Sequence, residues 1–123
     1  MSSQPVPCVT PEEYLKFDRS SELRHEYVFG EIVQMVGGTY EHGVIQANAI
    51  GVLRDHLSKG PCRVLGSSVR VMLHRDASYA YPDATVVRGK PEFLDKEADT
   101  ITNPRLIVEV LSQIGRASCR ERV

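Results

Sequence analysis

Leu106-Ile107-Val108-Glu109-Val110-Leu111 sets one carboxylate in an otherwise apolar run. β-Branched residues are frequent in it and Asn103-Pro104 bounds it, so it reads as a β-strand. The residues flanking Glu109, and the next ones out on its own face, are all apolar, the pattern of a strand buried on both faces. A carboxylate inside such a strand costs several kcal/mol unless a cation or hydrogen-bond donors meet it.

Asp83 poses the same question upstream. It follows Pro82 and opens Ala84-Thr85-Val86-Val87, within a second β-rich run from Tyr79 to Val87. Two carboxylates on strands that can be neighbours suggest a hard-metal site with oxygen ligands, Mg²⁺ first and Mn²⁺ as the alternative. Each residue also has a plainer reading. Glu109 can face water from an edge strand, or pair with Arg70 or Arg105, and Pro82-Asp83 can be an ordinary turn. The two together, in this order, favour the site.

Working outward, the chain of 123 residues suffices for one domain with a modest core. Its 41% hydrophobic and 25% charged residues are ordinary for a soluble globular protein. No apolar stretch is long enough to span a membrane, and Met-Ser-Ser-Gln-Pro-Val-Pro does not resemble a secretory signal. Cys8, Cys62 and Cys119 have neither metal-ligand spacing nor an even count, so a reducing cytoplasm is expected. The net charge of −1 gives no electrostatic footprint for nucleic acid and counts against DNA binding, though a bound cation would offset part of it.

Thr10-Pro11-Glu12-Glu13 reads as a helix start with a capping box, ending near Asp18 to Ser21. Glu26–Phe29 and Ile32–Val36 read as a hairpin around Gly30-Glu31. Ile45, Ala49, Ile50, Leu53 and Leu57 fall near helical spacing from Glu41 to about Ser58, and Lys59-Gly60-Pro61 stops that helix. Cys62–Leu65, Val69–Leu73, Tyr79–Val87 and Leu106–Leu111 read as strands, and Arg88–Asn103 mainly as a surface excursion. The order implies an α/β or α+β domain with a mixed sheet.

The last ten residues, Ile114–Val123, carry three Lys/Arg and one Asp/Glu and fit neither strand nor amphipathic helix. A short native basic tail is the simple reading. Back-translated in frame, however, they resemble the reverse complement of a common short-read sequencing adapter, with Gln113 a hybrid codon. The expected organisation is therefore a flexible segment 1–9, a domain 10–112, and a non-native tail 113–123.

Arg24-His25-Glu26-Tyr27-Val28-Phe29-Gly30-Glu31-Ile32-Val33, then Met35, Gly37-Gly38, His42, Tyr81-Pro82-Asp83 and Asn103–Ser112 resemble, in order, the Uma-two family of restriction endonucleases, part of the PD-(D/E)XK nuclease superfamily. The resemblance implies a restriction-endonuclease-like fold, incomplete here at the C-terminus, and Mg²⁺-dependent hydrolysis of DNA phosphodiester bonds. By that resemblance Asp83 and Glu109 are the acids of the "PD" and "(D/E)XK" motifs and hold the metal, with the Val110 carbonyl a further ligand. Glu26 matches an upstream acidic position; a surface Glu at a hairpin entry is an equal reading. His42 matches a family position from which it could contact phosphate or orient water, set against packing at a helix start. His25, His56 and His74 have no metal spacing and read as surface or partly packed.

One departure stands out. The superfamily's Lys, two residues after the acid, is Leu111 here, and the following helix, where family members tend to carry it, is replaced by the tail. Arg116 could stand in, but nothing aims it. The expectation is a chain that is impaired or inactive as a nuclease and less stable than a full-length protein. The alternative is a non-catalytic module that keeps the fold and binds nucleic acid or protein. Cutting both strands of a duplex often takes two sites, which allows a homodimer without requiring one.

Overall fold

The computed structural model describes residues 8–75 and 77–111. The tail, Cys119 and Arg116 lie outside the described residues, as does the 1–9 segment apart from Cys8 and Val9. The elements run α1 (Pro11–Ser20), β1 (His25–Val28), β2 (Glu31–Gln34), α2 (Tyr40–Leu57), β3 (Cys62–Leu65), β4 (Arg70–His74), β5 (Ser78–Ala80), β6 (Ala84–Arg88), β7 (Thr100–Ile101) and β8 (Leu106–Val108). They form a five-stranded sheet, β2-β1-β5-β4-β7, and a three-stranded sheet, β3-β6-β8. The larger sheet is mixed, because β7 runs parallel to β4 while its other pairs are antiparallel.

α1 starts as its sequence requires. Thr10 accepts the Glu13 N–H, and the Glu13 carboxylate accepts the Thr10 N–H. Tyr14 and Leu15 then pack on Tyr27 and Tyr79. Tyr14 and Tyr27 stack with centroids 5.1 Å apart, worth about 0.5–1.5 kcal/mol beyond the area they bury. The hydroxyl of Tyr14 reaches the His25 carbonyl and that of Tyr27 the Val9 carbonyl, so neither ring buries an orphaned donor. A second apolar group, Val71, Val87 and Ile101 with Leu65, Val69 and Ile107, lies where the two sheets face each other.

Phe29 and Gly30, both at positive φ, make the β1–β2 turn, so the strands pair from Val28↔Glu31 outward. Gly30 is doubly constrained: φ is +94°, and a Cβ there would stand 3.1 Å from Cys8 Sγ.

Four expectations change. The Tyr79–Val87 run is two strands, not one: the chain leaves the larger sheet after Ala80 and enters the smaller at Ala84. Pro82, with no N–H for a ladder, sits buried at that crossing. The Arg88–Asn103 stretch is not wholly a surface excursion, since Thr100 and Ile101 are buried in β7. The Leu106–Leu111 run stops being strand at Val108 and is not buried on both faces. Among the described residues its one partner strand is β6, Leu106 is exposed, and Glu109 lies just past its end. Its uniform hydrophobicity signals a strand that, among the described residues, is an edge. His25, read as surface or partly packed, is buried.

α2 has no buried residue. Ala49, Ile50, Leu53 and Leu57 are half-covered on the β3/β6 side, while Ile45 joins Tyr40, Val44 and Val52 on an exposed apolar face.

Candidate active site

The crossing between the sheets positions Asp83. Buried Pro82 precedes it and buried Ala84 follows it as the first residue of β6. Ala84 pairs with Val108, which brings the residue before β6 beside the residues after β8. Val110 N–H donates to Asp83 Oδ2 at 2.6 Å, and Asp83 N–H donates to Glu109 Oε1 at 3.2 Å. The segments that carry the two acids the sequence singles out are thus joined by a pair of backbone-to-carboxylate bonds.

α2 closes the site from its N-terminal end. Thr39 caps the helix by accepting the His42 N–H at 3.1 Å, which fixes His42 in the first turn. Its Nε2 stands 3.3 Å from Asp83 Oδ1. A Cβ at Gly38 would come within 2.9 Å of His42 Nδ1, so glycine there leaves room for the ring. One turn along, Gln46 Nε2 donates to the Asp83 carbonyl at 2.9 Å. Gln46 went unnoticed in the sequence: one Gln in a helix carries no signal until the helix is placed.

The electrostatics fit a cation. Partial burial of the carboxylate is the largest cause raising the Glu109 carboxyl above the ordinary glutamate value, although the residue as a whole is exposed. The charges of Asp83 and Glu26 add to it, while the Asp83 N–H and His42 act the other way. Glu26, at the second position of β1, is therefore within electrostatic range of Glu109. Among the described residues, no group of three or more His, Cys, Asp or Glu is arranged to hold a metal ion. Mg²⁺ needs no such cage; it commonly binds through one or two carboxylates and keeps several waters. The oxygen chemistry of Asp83 and Glu109 and their mutual repulsion fit that mode. Val110 meets Asp83 through its N–H. The superfamily's Lys position is Leu111, 72% exposed, and among the described residues His42 is the one ion-pair partner of Asp83 or Glu109. Arg70, offered as a partner for Glu109, pairs instead with Asp18.

The sequence also gave no warning of a buried polar centre behind the site. The Asp18 side chain, 1% exposed, takes bonds from Arg70 Nη2 at 2.7 Å, Arg70 Nε at 3.2 Å, the His25 N–H at 2.8 Å and the Tyr81 hydroxyl. Burial by itself would raise the Asp18 carboxyl, but the bonds from Tyr81, Arg70 and His25 and the Arg70 charge outweigh it and hold it below the usual carboxylate range. Burial, then the bond to Asp18, pushes the Tyr81 hydroxyl up to about 12.

Among the described residues no helix is long and apolar enough to cross a membrane. The family model described as "Putative restriction endonuclease", Uma2, matches residues 11–122, a span that continues past Ser112 into the basic tail. Two uncharacterised proteins of Synechocystis sp. (strain ATCC 27184 / PCC 6803 / Kazusa) are similar: one is 34% identical over 110 residues, the other 31% over 104. The matches cover 89% and 85% of this chain but only 57% and 59% of those proteins, so the chain spans under three-fifths of the relatives' length. A crystal structure of a "putative nuclease belonging to DUF820" from Anabaena variabilis ATCC 29413 shares the fold, with a TM-score of 0.65, 22% identity, and coverage of 93% of this chain and 66% of that one. With the mixed α/β architecture, this is the restriction-endonuclease-like fold the motifs implied. The chain belongs to the Uma2 family, the one described as "Putative restriction endonuclease".

Proposed function

We propose that this chain carries the metal-binding half of a Mg²⁺- or Mn²⁺-dependent endonuclease acting on DNA phosphodiester bonds in the cytoplasm. The observation that carries the reading is the pair of bonds that ties Asp83 to Glu109 and Val110 at the junction of β6 and β8. Asp83 and Glu109 would hold the ion, with Glu26 near enough to add negative charge. Bound there, it would polarise a scissile phosphate and lower the pKa of an attacking water. His42 keeps the Asp83 carboxylate oriented, and Gln46 fixes its backbone. With Leu111 where the superfamily has Lys, nothing described supplies a cation against transition-state charge. The 123-residue chain is accordingly a weak nuclease or none. Two copies acting on one duplex are part of the reading.

Sequencing the gene downstream of the Ser112 codon, then assaying both products, tests this. A gene that continues with Pro and a Lys-bearing helix, and whose product nicks plasmid DNA only with Mg²⁺ or Mn²⁺, supports it. Metal-dependent cleavage by the 123-residue chain itself would refute the impairment.

The second reading is a non-catalytic module, favoured by Leu111 standing where the superfamily has Lys. It predicts salt-dependent nucleic-acid binding that needs no metal and survives Asp83→Ala.

A further inference from the structure

We propose that Asp18 is a positioning residue for the candidate metal centre, acting through Tyr81 on Asp83 and through His25 on Glu26. The inference rests on the metal-centre reading of Asp83 and Glu109. Asp18 is on α1, outside the strands that carry the acids of the site, and its buried carboxylate touches His25, adjacent to Glu26, and Tyr81, two residues before Asp83. One oxygen takes the Tyr81 hydroxyl and Arg70. Tyr81 is followed by Pro82, whose ring fixes φ, and then by Asp83. Tyr81, Pro82 and Ala84 are all buried, so the backbone of Asp83 is held between immobile neighbours. The other Asp18 oxygen takes the His25 N–H at 2.8 Å and lies 3.2 Å from His25 Nδ1. Glu26 is the next residue, on the opposite face of β1.

Arg70 meets only one oxygen of Asp18, and its own Nη1 is directed to Thr100 Oγ1 at 2.8 Å and to Asp99 at 3.3 Å. A buried ion pair needs its remaining lone pairs met as well, and the donors that meet them here come from the two segments that carry Asp83 and Glu26. The Tyr81 and His25 bonds therefore do something the pair does not: they tie β1 and the sheet crossing to one buried point. Partners that orient metal ligands typically change metal affinity about 10–100-fold when removed.

Tyr81→Phe is the leading variant, because it keeps the ring and removes only the hydroxyl; Asp18→Asn is the second. Lys16→Ala is the control: Lys16 is on the same helix, exposed, and outside the network that joins Asp18, Arg70 and Asp99. Two quantities are measured on protein shown folded by circular dichroism. The first, on metal-free protein, is NMR hydrogen exchange of the Val110 amide, which is held by Asp83 Oδ2. The second is Mn²⁺ affinity by calorimetry. Tyr81→Phe should speed Val110 exchange and weaken Mn²⁺ binding, the latter about 10-fold, with Lys16→Ala changing neither. Unchanged Val110 exchange in folded Tyr81→Phe overturns the proposal, as does an equal change in Lys16→Ala. If the parent chain binds no Mn²⁺, the metal-centre reading fails, and Asp18's role as a metal-site positioner falls with it, even if Val110 responds.

Discussion

Val110 N–H meets Asp83 Oδ2 at 2.6 Å, one residue beyond the acid that accepts the Asp83 N–H. This contact gives Asp83 a structural role beside the metal-binding one proposed for it. Asp83→Ala leaves the Val110 N–H without its acceptor, a loss of about 1–3 kcal/mol. Asp83→Asn keeps an acceptor and should lose less. Both remove the charge, so both should abolish Mn²⁺ binding. Thermal melts beside calorimetry separate the two roles; equal Mn²⁺ affinity in parent and Asp83→Asn would remove Asp83 from the metal set.

Glu109 carries a carboxyl raised above its ordinary value. A raised acid is less stable ionised in the folded chain than in the unfolded one, so its ionisation opposes folding at neutral pH, and the penalty fades as pH falls through the folded pKa. Glu109→Gln keeps an acceptor for the Asp83 N–H and drops the charge. The metal-free variant should therefore melt higher than the parent at pH 7, with the gap closing by pH 4. Melting curves at the two pH values check the sign.

The acid limb of stability belongs to Asp18 and Asp99. The bond from Arg19 is the largest cause holding Asp99 at about 2, and Asp18 is also depressed. A depressed carboxyl stabilises the fold above its unfolded pKa and loses that contribution as pH drops through the folded one. The parent should lose stability below about pH 4. Asp18→Asn, which leaves the buried Arg70 only the partly exposed Asp99 at 3.3 Å, should cost up to about 3–5 kcal/mol at pH 7 and flatten that decline. Arg19→Ala removes an exposed pair worth about 0.2–1 kcal/mol. Urea titrations across pH 2–7 measure all three.

The exposed and buried valines should part company. Val52 on α2 is 56% exposed and Val87 in β6 is 2% exposed. Val87→Ala should cost about 2–3 kcal/mol, against less than about 0.5 kcal/mol for Val52→Lys. Val52→Lys should also lower any self-association of the apolar α2 face, read by light scattering.

Much of this protein follows from local sequence. The Thr10–Glu13 capping box, the Gly30 turn and the stop at Lys59-Gly60-Pro61 are settled by residues within one turn of each other. The paired acids were visible because a carboxylate in an apolar run is locally anomalous. Tertiary structure decided the rest. Tyr79–Val87 reads as one strand because β-propensity is blind to which sheet a residue joins; only packing divides it at Pro82. Leu106–Val108 reads as buried because hydrophobicity does not reveal an edge. Asp18 gave no signal at all, since a charged residue near a helix end is ordinary. Its burial depends on Arg70 and Tyr81, more than fifty residues away, and a sequence window cannot contain a contact made only when the chain has folded.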